Sequence, residues 1–477
     1  MPRSSSPSPP PDPDALLSTL KAHAPTVRQT TAGQRAAKLR RLADALVDRR
    51  ALFAEALHAD FRKAPVEVDL TEIKTVTKEI DHACAHLEEW MAPDTPSAPL
   101  LFTGTHSEIR YEPKGVVLIL SPWNYPVTLT LGPLIGAIAA GNCAVLKPSE
   151  HAPNTATALQ GLVEDLFDDR EIRLVQGGPD LAETLTAQPF DHVYFTGSPA
   201  IGRRVMRAAA EHLTSVTLEL GGKSPAVVDA TADLDSAAER IVWSKFTNAG
   251  QTCIAPDYLL VEDRIHESFV ERLRGTIHRF YGESPEARKA SPDYARLIHD
   301  DHFERVTGLL DEARANGAAA AIGGATDAAS RYVAPTVLTD VPTGSRIMQE
   351  EIFGPLLPVL PYSALEEAVH AINERPSPLS LYLFTEREAT VDTILTRTTA
   401  GSTCVNEGFL HFVNPNLPFG GKGESGIGRG HGRYSFQEFS NERAVLRRRY
   451  GGGLLRALFP PYGRLTSRIA EWAMRYV

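Results

Sequence analysis

The chain has 477 residues, of which 43% are hydrophobic and 23% are charged, as is typical of a soluble globular protein of two or three domains. Its formal net charge of −10 argues against a nucleic-acid-binding protein, which would carry a basic face. The four cysteines are widely spaced and form no CxxC pair, so they predict neither a zinc site nor a disulfide framework, and a reducing compartment such as the cytoplasm is favoured.

The N-terminal region is predicted to begin with a disordered tail and to continue as helices. Residues 1–14 are rich in Ser and Pro and lack the apolar stretch of a signal peptide. From 15 to about 90, apolar residues recur at helical spacing with charges opposite them. The uncharged stretch 126–146 is nominally long enough to span a bilayer, but Pro133 and three glycines favour a buried helix followed by a strand.

Short apolar runs then alternate with helical segments, which predicts βαβ units and a parallel sheet. In such sheets ligands bind at the carboxyl ends of the strands, so the residues that end each run are candidate site residues. The fold class expected is therefore α/β, with one unit over 15–104 and 116–219 and a second over 220–404. The segments 105–115 and 405–450 fit neither unit, and 451–477 forms a separate amphipathic tail.

Cys253 is the cysteine most unlike a buried apolar residue. It follows a predicted helix end and Gly250, in the loop Asn-Ala-Gly-Gln-Thr-Cys that precedes a strand. Nucleophiles are often held on loops braced by regular structure. A helix C-terminus disfavours a thiolate, and the neighbouring sequence offers no His or Arg. A base from elsewhere in the chain is therefore required.

Two residues could serve that thiol. Glu219 lies among apolar residues and glycines in Leu-Glu-Leu-Gly-Gly, where burial would raise its pKa and make it a general base; a surface glutamate at a strand end is the alternative. Asn124 lies between two prolines in Pro-Trp-Asn-Tyr-Pro after a strand. It could donate to an oxyanion, or it could be an ordinary turn residue.

A dinucleotide site is suggested by several weak signals together. Gly197-Ser198 to Gly202 follows a strand and opens a helix, which is the context for a pyrophosphate at a helix N-terminus. Glu150 and Lys147 end another strand, where they could bind adenosine-ribose hydroxyls. A literal GxGxxG at 421–426 lacks the strand–turn–helix context and is rejected as a phosphate cradle.

The motifs PWNYP, KPSE, FTGS, LELGGKSP, GQTC, QEEIFGP and LPFGG occur in the order and rough spacing of aldehyde dehydrogenases, over about residues 20–450. The chain resembles the class 3 group of that family in its QTCIAPDY motif and its ending SGIGRGHGRYSFQEFS. Where that group usually has a tyrosine–histidine pair, this chain has Gly430-His431. The resemblance implies a Rossmann-like NAD(P)-binding domain, a catalytic domain, and a small β element that makes a homodimer.

It also implies a role for each motif residue. Cys253 would be the nucleophile, Glu219 the base for the thiol or the hydrolytic water, and Asn124 with the backbone N–H of Cys253 the oxyanion hole. The aldehyde would be oxidised through a thiohemiacetal and a thioester on the thiol, with NAD or NADP as cofactor and no metal. The residues implied for the cofactor are Trp123, Lys147, Glu150, Gly197, Ser198, Gly202, Leu220, Glu351 and Phe353. Of these, Glu351 carries no signal of its own in the sequence.

Substrate and cofactor preference are less determined. Tyr125, Phe409 and His411 could line an apolar funnel for aromatic or medium- to long-chain aliphatic aldehydes, or could be core residues. The Glu150 carboxylate would repel a 2′-phosphate and favours NAD. A cysteine esterase or thioesterase is the rival enzyme, and a non-catalytic binding protein on the same fold is the third hypothesis.

The C-terminal tail has an apolar helical face that includes Leu465, Ile469 and Trp472, and 447–477 holds seven arginines against one acid. This pattern predicts packing on the body or a partner subunit, or peripheral contact with a membrane from the cytoplasm. The segment is too short and too charged to span a bilayer.

Overall fold

The computed structural model describes residues 12–99, 102, 104–448 and 459–476. Of the predicted tail 1–14, the first eleven residues lie outside this range, whereas Asp12 caps a helix that begins at Pro13. Helix α2 starts at a capping box in which Thr31 and Gln34 satisfy each other's backbone N–H groups. The leading helices are α1 (Pro13–Arg28), α2 (Ala32–Asp48), α3 (Arg50–Phe61), α4 (Pro65–Val68) and α5 (Lys74–Met91), with a π-helical turn at Asp69–Ile73.

The first α/β unit follows as strands alternating with helices. After β1 (Thr105–Pro113), which lies outside this unit, its elements are β2 (Val116–Leu120), α6 (Pro126–Ala140), β3 (Cys143–Lys147), α7 (Pro153–Leu166), β4 (Ile172–Leu174), α8 (Pro179–Thr186), β5 (His192–Thr196), α9 (Pro199–Ala210) and β6 (Ser215–Glu219). Every residue of β2, β3 and β5 is buried, as expected for strands covered on both faces. The uncharged stretch 126–146 is a buried helix and a strand, as predicted.

The second unit repeats this alternation. It comprises β7 (Pro225–Val228), α10 (Leu234–Phe246), β8 (Tyr258–Glu262), α11 (His266–Tyr281), α12 (Pro285–Ala290), α13 (Asp300–Ala315), β9 (Ala319–Ile322), β10 (Thr326–Asp327), β11 (Tyr332–Val333), β12 (Thr336–Thr339), α14 (Arg346–Gln349), β13 (Leu356–Tyr362), α15 (Leu365–Asn373), β14 (Ser380–Phe384), α16 (Glu388–Arg397) and β15 (Ser402–Val405). Its seven-stranded sheet has the order β15–β14–β7–β8–β13–β12–β9, parallel except for β9.

The last elements are α17 (Leu410–Val413), β16 (Gly426–Ile427), α18 (Gly432–Glu438), β17 (Ser440–Arg448) and α19 (Arg464–Tyr476). The segment 405–450 is not one structural unit: β17 pairs with β1 in a separate two-stranded sheet, whereas β16 joins the first sheet and α18 packs on α5 and α6. Within the described ranges, no helix combines the length and apolarity needed to cross a membrane.

The strand order of the first sheet determines where a ligand can bind. The order is β16–β6–β5–β2–β3–β4, with β16 antiparallel and the others parallel. The chain runs from β2 outward to β4 and then returns to place β5 on the other side of β2. The connections after β2 and β5 therefore leave the sheet in opposite directions and open a crevice at the carboxyl ends of these two strands.

Candidate active site

Cys253 lies in a loop whose backbone is constrained by its neighbours. Asn248 and Ala249 have positive φ angles of 55° and 53°, a conformation that non-glycine residues adopt at an energetic cost. The Asn248 amide Nδ2 donates to the carbonyl oxygens of Asn124 and Gln251, at 2.9 and 3.2 Å. Gly250 has a φ of 75°, and a Cβ there would lie 2.4 Å from the Gly354 carbonyl oxygen. The loop therefore holds the thiol against residues from three distant segments.

The thiol of Cys253 is protonated at neutral pH. Burial raises its pKa to about 12, and the charges of Glu351 and Glu219 act in the same direction. The loop follows the C-terminal end of α10, as predicted, so no helix N-terminus is there to stabilise a thiolate. A nucleophilic role for this thiol requires a proton acceptor.

Glu219 ends β6 and is 5% exposed, so it is the buried carboxylate of the two alternatives rather than a surface residue. Burial raises its pKa to about 8, against the opposing effects of the Arg429 charge and a hydrogen bond from Tyr194. Its Oε2 atom is buried and has no hydrogen-bond partner among the described residues. A carboxylate of this kind can accept a proton near neutral pH.

Asn124 lies in the bend between β2 and α6 and is 2% exposed. Its Nδ2 donates to the Gln251 carbonyl oxygen at 3.0 Å. Because a carbonyl oxygen only accepts, this contact identifies which end of the Asn124 amide carries the N–H groups. An amide nitrogen has two hydrogens, so one remains for a second acceptor.

Cys253, Glu219 and Asn124 line one cavity of about 320 Å³, which we call the central cavity. Its wall also contains Trp123, Gly197, Ser198, Leu220, Glu351 and Phe353, so nine of the sequence-predicted site residues meet here. Trp123 and Phe353 meet edge to face, with ring centroids 5.5 Å apart. The Glu351 carboxylate lies against Gly221, where an added Cβ would be 2.1 Å from Oε2.

A longer cleft of about 690 Å³ continues from the central cavity; we call it the outer cleft, and it is lined by Trp123, Lys147, Glu150, Gly197, Ser198, Ile201 and Val205 among others. Lys147 donates to Glu150 Oε2 at 2.8 Å at the end of β3. Ser198 caps α9, and the apolar Ile201 is 42% exposed. Gly202 lines neither space but packs on Leu220, where a Cβ would lie 2.7 Å from Cδ2.

These residues suit NAD(P). A half-exposed carboxylate and a lysine at a strand end can bind ribose hydroxyls, and the N-terminus of α9 can receive a pyrophosphate. A side chain at Gly197 would clash with the Phe195 ring 2.5 Å away, so the backbone remains open to a ligand there. The exposed Ile201 offers an apolar surface to a flat ring.

Four polar side chains hold the Glu351–Phe353 loop: His302 and Asp257, which are buried, and Arg305 and Lys223, which are partly buried. Arg305 donates to the carbonyl oxygens of Glu351 and Ile352 at 3.1 and 2.6 Å, and His302 Nε2 donates to that of Phe353 at 2.8 Å. Lys223 pairs with Asp257 and donates to two further carbonyls of this segment. His302 and Arg305 lie on the ordinary amphipathic helix α13, so their spacing alone could not identify them.

A second, largely apolar cavity also reaches the thiol. Its apolar lining includes Val76, Leu129, Pro133, Leu379, Phe412, Val413 and Phe419, and its polar lining residues are Thr75, Lys78, Glu79, Thr128, Tyr194, Thr196, Glu219, His431 and Ser435. Cys253 and Glu219 line both cavities.

None of the three residues predicted for an aldehyde pocket lines the apolar cavity. Tyr125 shares a 2.8 Å hydrogen bond with Thr252 Oγ1 and lies under the ammonium group of Lys63. Phe409 packs on Trp243 with centroids 5.4 Å apart, and His411 Nε2 lies 2.9 Å from Ser380 Oγ. These side chains support the cavity wall from behind, and Phe412 is the aromatic residue of that segment that faces the cavity.

Comparison with known proteins agrees with this architecture. The family model described as "Aldehyde dehydrogenase family" matches residues 10–445. Aldehyde dehydrogenase family 3 member B2 of Mus musculus is 44% identical over 462 residues, covering 97% of this chain and 95% of its own. The 4,4'-diaponeurosporen-aldehyde dehydrogenase of Staphylococcus aureus is 45% identical over 409 residues, covering 86% of this chain and 88% of its own.

Solved structures give the same result. One described as the substrate-bound state of Staphylococcus aureus AldH has a TM-score of 0.91 and 41% identity, covering 96% of this chain and 99% of that one. The NAD+ complex of an aldehyde dehydrogenase from Bacillus cereus has a TM-score of 0.84 and 28% identity, covering 92% of this chain and 89% of that one.

Proposed function

The chain belongs to the aldehyde dehydrogenase family and oxidises aldehydes with NAD or NADP, and we propose that Cys253, Glu219 and Asn124 carry out the reaction. The observation that supports this assignment is their meeting in one cavity although they are distant in sequence, Asn124 and Cys253 on loops and Glu219 at the end of β6. The pKa values of the thiol and the carboxyl also suit a nucleophile that needs a base and a base that works near neutral pH.

The first step is attack by sulfur on the aldehyde carbon. Glu219 takes the thiol proton as the C–S bond forms, and the carbonyl π electrons move onto oxygen. The second N–H of the Asn124 amide and the backbone N–H of Cys253 stabilise this oxyanion. Since Asn124 is held by Gln251 at 3.0 Å, the donor is oriented before the substrate arrives.

NAD(P), when bound, supplies the hydride acceptor that converts this adduct into a thioester on Cys253. Lys147 and Glu150 would hold the adenosine ribose, the start of α9 the pyrophosphate, and Glu351, Phe353, Trp123 and Leu220 the nicotinamide end. Glu219 then releases the thiol proton to solvent and takes a proton from water, and the resulting hydroxide adds to the thioester carbon. The C–S bond breaks to release the acid, which ionises to the carboxylate, and the proton held by Glu219 passes to the sulfur to restore the thiol.

NAD is the proposed preferred cofactor, because the Glu150 carboxylate at the end of β3 would repel a 2′-phosphate. Specificity constants for NAD and NADP, compared between the wild type and Glu150→Gln, test this proposal. The glutamine variant should gain relative activity with NADP, and an unchanged ratio would contradict it.

The substrate class proposed is aromatic or medium- to long-chain aliphatic aldehydes. The walls of the apolar cavity support this assignment, since most of the surface that they expose to it is apolar. A relative from Staphylococcus aureus carries the name 4,4'-diaponeurosporen-aldehyde dehydrogenase, which also points to an apolar aldehyde. Specificity constants should rise with chain length across a series of linear aldehydes.

We also propose a homodimer and a peripheral membrane contact for a cytoplasmic enzyme. The β1–β17 sheet, with Leu446 58% exposed, is the proposed dimer element. On α19, Leu465 and Trp472 are 68% and 60% exposed beside three arginines, a pattern suited to an anionic lipid surface. Sedimentation, and flotation with anionic vesicles with and without residues 451–477, test the two proposals separately.

The decisive test of the chemistry is formation of NADH or NADPH with an aldehyde by the wild type and by Cys253→Ala. The variant should lose oxidation while still binding the cofactor. Ester hydrolysis without cofactor reduction in the wild type would instead favour a cysteine hydrolase, and full oxidation by the variant would refute the assigned nucleophile.

A further inference from the structure

The Glu219 carboxylate is contacted by a side chain from the neighbouring strand. The parallel register of β5 and β6 pairs Tyr194 with Thr217 and Thr196 with Glu219. Because side chains alternate along a strand, Tyr194 and Glu219 project from the same face of the sheet, two positions apart. The Tyr194 hydroxyl lies 3.4 Å from Glu219 Oε1, and both residues line the apolar cavity together with Cys253.

The phenol is fixed and can act only as a donor to a carboxylate. Its ring stacks on Phe439 with centroids 5.6 Å apart and an interplanar angle of 17°. Tyr194 is 6% exposed, and burial raises its pKa well above the ordinary value, so the hydroxyl keeps its proton. Among the described residues, Tyr194 is the side chain that hydrogen-bonds Glu219, whereas Oε2 has no partner.

Gly430 leaves the space that this contact needs. An antiparallel bridge with Phe419 holds the Gly430 backbone beside the pair. A Cβ on Gly430 would lie 3.1 Å from the Tyr194 hydroxyl and 3.9 Å from Glu219 Oε1. Its φ is outside the left-handed region, so alanine is sterically permitted by the backbone and would differ only in crowding the hydroxyl.

We propose that Tyr194 is a positioning residue for the general base: its hydroxyl donates to Oε1 and leaves Oε2 to take the proton of the thiol or of water. This inference rests on the proposed role of Glu219. The hydrogen bond stabilises the charged carboxylate, so its loss raises the pKa of Glu219. The other titratable groups around this site are Arg429, Glu438, Cys253, Glu351, Glu79, Lys78, His431, His302 and Arg305.

The first test is the pH dependence of kcat in Tyr194→Phe. The acidic limb should move to higher pH by roughly half a unit to one unit, which lowers kcat about 3- to 10-fold below the pKa. The aldehyde KM and the cofactor Kd should stay unchanged, since the ring remains in place. Tyr294→Phe is the matched control, because it removes a buried phenol bonded to the Val333 carbonyl at 2.8 Å, away from Glu219. That control should leave the limb unmoved.

Gly430→Ala provides a second, independent variant. It should move the limb in the same direction by crowding the hydroxyl, and in a Tyr194→Phe background it should add nothing. The inference would be overturned if the acidic limb of the kcat profile did not move in Tyr194→Phe. It would also be overturned if Gly430→Ala still shifted the limb in the Tyr194→Phe background, where the hydroxyl is absent. Glu219→Gln distinguishes failure of the proposed function from failure of this inference. If Glu219→Gln retains the acidic limb, the assignment of Glu219 as the base fails. If Glu219→Gln loses the limb but Tyr194→Phe does not move it, only the role of Tyr194 is refuted.

Discussion

Cys253 should be an unreactive thiol in the protein without cofactor. Its pKa of about 12 compares with about 8.5 for a free cysteine, so at pH 7.5 its thiolate fraction is lower by about three orders of magnitude. A more basic thiolate is also a better nucleophile, with a Brønsted slope of about 0.4–0.5, which recovers between one and two orders. The net expectation is alkylation about 10²-fold slower than that of a free thiol.

The assay is alkylation by iodoacetamide in a Cys84→Ala, Cys143→Ala, Cys404→Ala background, in which Cys253 is the remaining thiol. Mass spectrometry follows the modified fraction between pH 6.5 and 9.5, with N-acetylcysteine as the reference. The logarithm of the rate constant should rise by one per pH unit throughout, because the pH stays far below the pKa. A plateau below pH 9, or a rate within threefold of the reference, would refute the reasoning.

The same background tests the electrostatic part of the argument. Among the charged groups, Glu351 has the largest effect in raising the pKa of Cys253. Burial raises the pKa of Glu351 to about 8, so Glu351→Gln should speed alkylation at pH 9.5, where the carboxylate is charged and the neutral amide would no longer oppose the thiolate. Slower alkylation in that variant would mean that the carboxylate acts on the thiol as a proton acceptor instead.

Asn124→Ala should lower kcat/KM for the aldehyde by about 10²–10³-fold with the NAD Kd unchanged, as measured by steady-state kinetics and fluorescence titration; an equal loss in Kd would point to a collapsed site. Lys63→Met removes the ammonium group that lies 2.8 Å from the buried Glu72 carboxylate, and should lower the free energy of unfolding in denaturant by about 3–5 kcal/mol. Lys38→Met, which breaks a partly exposed ion pair, should lower it by about 1 kcal/mol or less. Glu219→Gln should stabilise the protein above pH 8 by roughly 1–4 kcal/mol and hardly at pH 4. The reason is that burial raises the pKa of Glu219 to about 8 in the folded state, so its ionisation destabilises the fold as the pH rises from the ordinary pKa of a glutamate to about 8. An equal gain in Tm at both pH values would contradict this prediction.

Local patterns predicted many of the candidate site residues, since several of them lie where a strand ends or a helix begins. Trp123 and Asn124 follow β2, Lys147 ends β3, and Gly197 follows β5. Strand-like runs ending in polar residues are sufficient to predict that these positions meet, because parallel strands bring their carboxyl ends to one edge. Cys253, the proposed nucleophile, was predicted from its own segment, as a thiol on a loop with no local activator.

The direction in which each side chain faces could not be predicted from these local patterns. The segment around Phe409 is aromatic throughout, and only packing decides that Phe412 faces the apolar cavity while Phe409 and His411 turn to the core. Likewise, α13 presents Arg305 to the Glu351 loop by an orientation that helical periodicity leaves undetermined.

The amino-acid sequence by itself was therefore sufficient to predict alternating strands and helices and a set of candidate site residues, because strand endings and helix starts are encoded by residues close along the chain. The tertiary structure alone decided how buried Glu219 is, which hydroxyl it meets and what space is left beside it. Those properties arise where β5, β6 and the returning segment around Gly430 meet, and burial and hydrogen bonding depend on groups that are distant in sequence.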